Sequence, residues 1–330
     1  MVVASRCVQQ PSDAVKLRIR SITWEADDIR SFELVNEKGD ILPPFAAGAH
    51  LEFRTPNGMR RHYSLCNPPS ERHRYVVAVL DLPCGRGGSH SMHEQLRAGD
   101  MIDAAGPYNY FRLDENAKHS VLLAGGIGIT PIMAMRAALS RSGRSYELHY
   151  CARNANRTAF LGDLATDLEA GRAKLHFDDG DPSRGINLSA LLNQQIEGTH
   201  LYYCGPVGFM AAVREASKHW REGTVHYEYF GANPTVEMTK EGSSGDQTIV
   251  LERRGLVIEL ASNQTVLEAV RGAGVEAESS CEAGMCGTCK VRYSGGTPRH
   301  NDFILSDDER EEYVIICCAT VEEGPLVLDI

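Results

Sequence analysis

Residues 279–290 read SSCEAGMCGTCK, which sets Cys281, Cys286 and Cys289 within nine positions, and a further pair, Cys317–Cys318, follows near the C-terminus. Cys-x4-Cys-x2-Cys plus a distant cysteine is the ligand spacing of a [2Fe–2S] cluster, in which four thiolates converge on two irons. A tight loop supplies three of them from adjacent backbone, and the fourth comes from elsewhere in the chain. Gly284 and Gly287 let the loop fold around an inorganic core with N–H groups directed at sulfur. A structural zinc site is one alternative, but it usually pairs two Cys-x2-4-Cys knuckles and only one tight triplet is present. A redox pair in CGTC is another, but such a pair ordinarily sits on the strand-to-helix turn of a βαβ unit. The expectation is iron–sulfur, and the rest of the chain must then contain a source of electrons.

At 330 residues, with 42% hydrophobic and 24% charged side chains, the chain has the composition of soluble globular protein and the length of two or three domains. No apolar run reaches the eighteen or so residues of a membrane span, and MVVASRCVQQPSDAV at the start lacks the features of a signal peptide. The expectation is a cytoplasmic protein without a membrane partner, whose ten cysteines are thiols or metal ligands rather than disulfides. Net charge is −10, and it is unevenly placed. From residue 245 onward there are 16 Asp+Glu against 7 Lys+Arg, a balance of −9, whereas residues 1–244 hold 28 against 27, a balance of −1. An acidic module is a poor nucleic-acid binder and is steered toward basic protein surfaces, although charge alone equally serves solubility.

Three textures follow one another. Residues 1–115 show short apolar runs such as LEFRT, RHYSL and RYVVAVLDL, split by Gly, Pro and Asn turns, and predict an antiparallel β-barrel. Residues 116–232 alternate strands (HSVLLA, YELHYCAR, AKLHFDD, HLYYCGP, TVHYEYFG) with four helical patterns, which predicts an α/β parallel-sheet nucleotide domain. In its first helix, PIMAMRAALSRSG, Thr130 is expected to cap, Pro131 to take the first position and Gly143 to end it. Residues 233–246 are polar and rich in Gly and Ser, as in a linker. Residues 247–330 open with two strand-like runs around a turn, TIVLERRGLVIEL, and a short helix, TVLEAVRGAG, precedes the cysteine loop.

The first two parts carry motifs suited to an electron source. In RHYS, Arg61 to Ser64, a guanidinium fork suits a phosphate and an aromatic suits an isoalloxazine face, although four such residues also fit an ordinary strand. CGRGGS, residues 84–89, can wrap a phosphate or form a plain surface turn. GGIGITP, residues 125–131, is not G-x-G-x-x-G, but it places glycines between a strand and a helix N-terminus, where a pyrophosphate is favoured. In HFDDGD, Asp178 and Asp179 follow the third strand of this domain, where a carboxylate accepts from a ribose 2′-hydroxyl and repels a 2′-phosphate. That favours NADH over NADPH, while Arg153 of CARN pulls the other way.

The C-terminal part resembles a plant-type ferredoxin, an α+β (β-grasp) domain, at CEAGMCGTC and IICCA. Aligning IICCA on the ferredoxin x-x-C-x-A segment implies Cys317 as the fourth ligand beside Cys281, Cys286 and Cys289, with Cys318 as its competitor. RHYS, GGIGITP, YCGPVGFM (203–210) and EYFG (228–231) resemble the ferredoxin–NADP reductase superfamily. That resemblance implies that Arg61 neutralises the flavin phosphate, Tyr63 packs on the ring, and Ser64 hydrogen-bonds near the reactive nitrogen. It also implies that Val79 and Leu80 line the flavin site and that Gly87, Gly88 and Ser89 hold the phosphate of a short flavin, hence FMN rather than FAD. Gly125, Gly126 and Gly128 would hold the nicotinamide nucleotide, with Arg153 and Asp178 near its ribose and Thr130 at the flavin–nicotinamide contact. Cys204, with Gly205 and Pro206, would sit beside the nicotinamide, where a buried structural cysteine is the alternative. Phe230 would shield the flavin, with Tyr229 as competitor.

In this order the three parts resemble the phthalate dioxygenase reductase family. The resemblance implies a multidomain oxidoreductase that passes electrons from NADH through FMN and a [2Fe–2S] cluster to a separate terminal oxygenase with a Rieske centre. Ser64, Thr130 and Cys204 would flank hydride transfer. The alternatives are a self-sufficient NADH-dependent reductase of ferric chelates, quinones or nitro compounds, and a sensing module whose cluster reports redox state.

Overall fold

A computed structural model describes residues 15–330 except 84, 86, 231–246, 262–263, 280–281, 283, 285–286 and 303. The chain divides into two compact units, Met1–Glu228 and Tyr229–Ile330.

The first unit begins with six strands: β1 (Val15–Ala26), β2 (Ile29–Asn36), β3 (His50–Arg54), β4 (Arg60–Ser64), β5 (Tyr75–Leu80) and β6 (Met101–Tyr108). Their order is β4-β3-β6-β1-β2-β5, and every neighbouring pair is antiparallel. A bridge between Leu65 and Val77 joins the two outer strands, so the sheet closes into the expected barrel. Alternation places the core: in β1 Leu17 and Ile19 are buried between exposed Lys16, Arg18 and Arg20. They meet Phe32, Phe53 and Val77 inside the barrel, and Met92 of helix α1 (Gly88–Gln95) joins them.

The same unit continues with β7 (His119–Gly125), β8 (Ser145–Ala152), β9 (Ala173–Phe177), β10 (Thr199–Gly205) and β11 (Val225–Tyr229), in the order β11-β10-β7-β8-β9. Pairs β10–β7, β7–β8 and β8–β9 are parallel, joined through α2 (Ile129–Arg141), α3 (Leu161–Glu169), α4 (Leu188–Leu191) and α5 (Val207–Ser217). Five strands and four helices follow in the order the sequence pattern implies. Barrel residues Ala26, Ile29, Ala47, Cys66 and Ala78 share one core with Ile129, Ile132 and Met135 of α2, so the two sheets pack as one body.

The start of α2 corrects one expectation. Strand β7 runs into a single 3-10 turn, Gly126–Gly128, and α2 follows directly with Gly128 at its N-cap. Thr130 therefore lies inside the helix, 1% exposed, with its hydroxyl donating to Ile127 O at 3.1 Å, and Pro131 stands third rather than first. The 3-10 turn already orients the chain, so no side-chain cap forms. At the other end Gly143, at φ 65°, follows the helix as expected.

The second unit holds β12 (Thr248–Leu251), β13 (Leu256–Glu259), β14 (Lys290–Arg299), β15 (Tyr313–Ile315) and β16 (Thr320–Leu328), in the order β13-β12-β16-β14-β15. Only β12–β16 is parallel, which makes the mixed sheet of a β-grasp domain. Helix α6 (Val266–Gly272) lays Val266, Leu267, Ala269 and Val270 on that sheet, behind a capping box of Thr265 and Glu268. A one-turn helix, α7 (Asp307–Arg310), starts from a second capping box at Ser306 and Glu309. The expected linker, 233–246, lies outside the described residues.

Candidate functional site

The phosphate end of the flavin site is built where β4 meets α1. The Arg61 side chain lies across Gly88: a Cβ there would fall 2.6 Å from its Nε and 2.9 Å from its Cγ. The guanidinium, anchored by Nη1 donating to Arg60 O at 2.7 Å, thus stands at the first turn of α1, whose free N–H groups favour an anion. Gly87, at φ 85°, turns the chain into that helix, and Ser89 Oγ accepts from Leu82 N at 3.2 Å. The Tyr63 hydroxyl is buried without a hydrogen-bond partner among the described residues, and burial raises its pKa. An arginine over a helix start, a cradle that a Cβ would fill, and an orphaned phenol fit a flavin phosphate and its chain. Val79 packs in the barrel core and its carbonyl is taken by His93 Nε2 at 2.8 Å, whereas Leu80 is half-buried against the core shared by the two sheets. Cys84 and Arg86 lie outside the described residues.

The nicotinamide loop and the C-G-P segment touch through backbone. A Cβ on Gly128 would fall 2.2 Å from Cys204 O and 2.7 Å from Gly205 N; one on Gly205 would fall 3.0 Å from Gly125 Cα, and one on Gly125 2.9 Å from Pro206 Cδ. Gly126, at φ 53°, faces open space. Asp179 N donates to Arg153 O at 2.8 Å, which brings the ends of β8 and β9 together. There Asp178 Oδ1 accepts from Gly180 N at 2.8 Å, and Asp179 is paired with Arg184 at 3.0 Å.

Sequence reasoning passed over the residue that joins these parts. Glu228, in β11, accepts the Ser64 hydroxyl at 3.2 Å on Oε2. Burial pushes the Glu228 carboxyl up to about 8; burial, then Glu228, raises Cys204. The Ser64 hydroxyl of the barrel therefore meets a carboxyl of the parallel sheet. Its only sequence signal is a lone Glu in the aromatic strand VHYEY. Thr130 turns its hydroxyl back on Ile127 O. Phe230, just beyond β11, is 38% exposed, and Tyr229 ends that strand half-buried.

In the second unit the sheet gathers thiols. Ile316 N donates to Cys289 O at 3.2 Å, and Gly284 N donates to Cys317 Sγ at 3.3 Å. Cys289 and Cys317 are thereby side by side and buried. Cys318, also beside Cys317, donates its thiol to Ile315 O at 3.5 Å. Gly284, at φ 72°, is tightly enclosed: a Cβ would fall 2.8 Å from Cys318 Sγ and 3.1 Å from Asp302 Cα. Soft thiol donors with an N–H aimed at sulfur fit an iron–sulfur cluster. Cys281 and Cys286 lie outside the described residues.

Comparison with known proteins gives the family. Residues 249–322 match the model of the 2Fe-2S iron-sulfur cluster binding domain. The chain is 40% identical over 337 residues to the tert-butanol monooxygenase / tert-amyl alcohol desaturase reductase subunit of Aquincola tertiaricarbonis, covering 100% of both. It is 41% identical over 322 residues to the phthalate dioxygenase reductase of Burkholderia cepacia, covering 97% of this chain and 99% of that one. A solved phthalate dioxygenase reductase, described as a modular structure for electron transfer from pyridine nucleotides to [2Fe-2S], superposes with a TM-score of 0.78 at 40% identity, over 96% of this chain and 98% of that one.

Barrel, nucleotide sheet and β-grasp domain, with thiols at the last, define an NADH-dependent oxidoreductase of the flavin and iron–sulfur type. The chain belongs to the phthalate dioxygenase reductase family. Among the described residues no helix is long and apolar enough to cross a membrane.

Proposed function

We propose that this chain is the reductase component of a multicomponent oxygenase, passing electrons from NADH through FMN and a [2Fe–2S] cluster to a separate terminal oxygenase with a Rieske centre, in the cytoplasm. In this reading residues 1–115 hold FMN, 116–232 hold NADH, 233–246 link, and 247–330 hold the cluster. The observation that carries it is the Ser64 hydroxyl of β4 on Glu228 of β11, together with the backbone contact of Gly128 with Cys204. That arrangement joins a flavin-type strand to a nicotinamide-type loop in one unit.

FMN supplies the conversion of a hydride into two single electrons. The protein's part is positional. Arg61, Gly87, Gly88 and Ser89 hold the flavin phosphate; Tyr63 packs on the ring, Leu80 borders it, and Phe230 is the shielding aromatic. Gly125, Gly126 and Gly128 receive the dinucleotide and Asp178, beside Arg153, its ribose. Cys204, with Gly205 and Pro206, sits beside the nicotinamide; Thr130 shapes the loop. Cys281, Cys286, Cys289 and Cys317 hold the iron. The balance of −9 from residue 245 onward suits docking on a basic oxygenase surface.

Anaerobic titration with NADH, followed by visible absorbance, tests the reading. Flavin and cluster bands should bleach together to about three electrons per chain, two taken up by the flavin and one by the cluster. An end point of two electrons in iron-replete protein, with no cluster band, would remove the iron–sulfur step and with it the oxygenase role.

A further inference from the structure

Asn36, Asp178 and Asp181 each close a turn at the surface by accepting a backbone N–H two residues on, at 2.7, 2.8 and 3.0 Å. Asp302 closes one in the interior. It is 5% exposed, and its Oδ2 accepts Leu305 N at 2.9 Å and Ile304 N at 3.3 Å. Its Oδ1 makes no hydrogen bond among the described residues, with His300 Nδ1 3.5 Å away, and Arg310 Nη2 stands 3.7 Å from Oδ2. Burying a carboxylate short of full hydrogen bonding is costly, so this turn needs a reason that a surface turn does not.

What the turn touches supplies one. Asn301 donates from Nδ2 to Cys318 O at 2.9 Å. A Cβ on Gly284 would fall 3.1 Å from Asp302 Cα and 3.4 Å from Asn301 O, and one on Gly287 would fall 3.3 Å from Ile304 Cδ1. Asn301, Asp302 and Ile304 thus lie against the glycines of the cysteine loop and against the 317–318 segment at once. Between those two segments runs the Gly284 N–H on Cys317 Sγ, at 3.3 Å. The turn is backed by α7, where Arg310 Nη2 donates to Asp302 O at 3.1 Å. Glu309 of the same helix is tied to Lys290, next to Cys289, at 2.8 Å.

We propose that Asp302 is a positioning residue of the cluster site: the turn that it closes holds the Gly284 N–H on Cys317 Sγ and keeps the cysteine loop against the 317–318 segment. It acts through backbone and neighbours rather than as a ligand. Without Oδ2 the N–H groups of Ile304 and Leu305 lose their acceptor in a buried turn, and the turn must open to satisfy them. A side-chain amide oxygen can accept the same two N–H groups, so asparagine preserves the turn and alanine does not. Seating Leu305, 7% exposed, in the core of the β-grasp domain is the simpler role for such a turn. That role leaves the contacts with Gly284, Gly287 and Cys318 O without a purpose, and it predicts a loss of stability spread over the whole domain. The inference rests on the reading of these thiols as a [2Fe–2S] site.

Amide exchange by NMR in the iron-free, 15N-labelled full chain tests it, together with the rate of cluster loss to a chelator from the loaded chain. In Asp302→Ala, Gly284 should exchange about 10-fold faster, as for one buried hydrogen bond lost, while Val250 and Leu251 of β12 keep their wild-type rates. The cluster should leave about 10- to 100-fold faster, with FMN retained. Asp302→Asn should match the wild type in both measurements. Asp302→Ser, whose hydroxyl closes the same turn more weakly, serves should the alanine variant not fold, and should show smaller increases of the same sign. A wild-type rate at Gly284 in Asp302→Ala overturns the proposal. Equal acceleration of Gly284 and β12 overturns it too, because Asp302 would then contribute to domain stability alone, and so does an asparagine variant that behaves as alanine. Exchange is read without iron, so failure of the wild-type chain to hold a cluster counts against the iron–sulfur reading and leaves the Gly284 result standing.

Discussion

Gly128 and Cys204 meet without a side chain between them: a Cβ on the glycine would fall 2.2 Å from the cysteine carbonyl oxygen. The obstacle is backbone and cannot rotate away, so Gly128→Ala must push the nicotinamide loop off the C-G-P segment. Overpacking of this kind costs about 1–3 kcal/mol. The variant should unfold at lower temperature and show a raised KM for NADH while keeping its FMN. An unchanged KM and Tm would mean that the two segments are not packed this way.

Arg61 should set flavin affinity. A charge-assisted hydrogen bond to a phosphate is worth about 1.5–3 kcal/mol, so Arg61→Ala should weaken FMN binding by about 10- to 150-fold. Arg61→Lys should recover only part of this, because the ammonium lacks the planar fork that reaches over Gly88. Fluorescence titration of flavin-free protein with FMN measures both. Equal affinity in all three proteins would place the phosphate elsewhere.

Glu228 should leave a mark on stability against pH. Its carboxyl titrates near 4.5 in the unfolded chain and is raised by burial to about 8 in the folded one. Between those values the folded state holds an extra proton, so the contribution is fully present below 4.5 and lost as pH rises through 8. At about 1.4 kcal/mol per unit, the window spans roughly 3–5 kcal/mol. Glu228→Gln lacks this slope. Thermal unfolding of the flavin-free proteins should give similar Tm values at pH 5 and a higher Tm for the glutamine variant at pH 9. Parallel curves would show that Glu228 is ionised on both sides of the transition.

Asp178 should govern the choice of nicotinamide nucleotide. Its place at the end of β9, linked through Asp179 to Arg153, matches the ribose end of a dinucleotide site. Asp178→Ala should narrow the ratio of kcat/KM for NADH over NADPH, chiefly by improving NADPH as repulsion of the 2′-phosphate is lost. A ratio that stays fixed would move the discrimination to another residue.

Where a pattern is local in sequence, the element it predicts was legible in advance: the alternation of β1 and the strand–glycine–helix run of GGIGITP both carry their geometry in spacing of a few residues. What could not be read was long-range. Glu228 and Ser64 lie 164 positions apart, and Glu228 belongs to no recurring pattern. Their contact exists only because the barrel and the parallel sheet pack as one unit. The misplaced Thr130 cap has a different cause. The pattern marks where a helix begins to bury residues, but a preceding 3-10 turn made the cap unnecessary.

The fourth iron ligand is the sharpest choice between neighbours. Cys317 accepts the N–H of Gly284 and lies between Cys289 and Cys318, whereas the Cys318 thiol donates to Ile315 O. Cys317→Ser should therefore abolish or alter the cluster absorbance and lower the iron content, while Cys318→Ser should retain both. Gly284→Ala provides an independent check. A methyl there would meet Cys318 Sγ at 2.8 Å and Asp302 Cα at 3.1 Å, on a backbone at φ 72° that disfavours any side chain. If the Gly284 N–H to Cys317 Sγ contact supports the cluster, Gly284→Ala should shift its reduction potential or lower its occupancy even though no ligand is removed. Iron and acid-labile sulfide analysis, with visible absorbance and a potentiometric titration, reads all three variants. Full iron in Cys317→Ser together with loss in Cys318→Ser would reverse the assignment and require the thiols around Gly284 to exchange places on cluster binding.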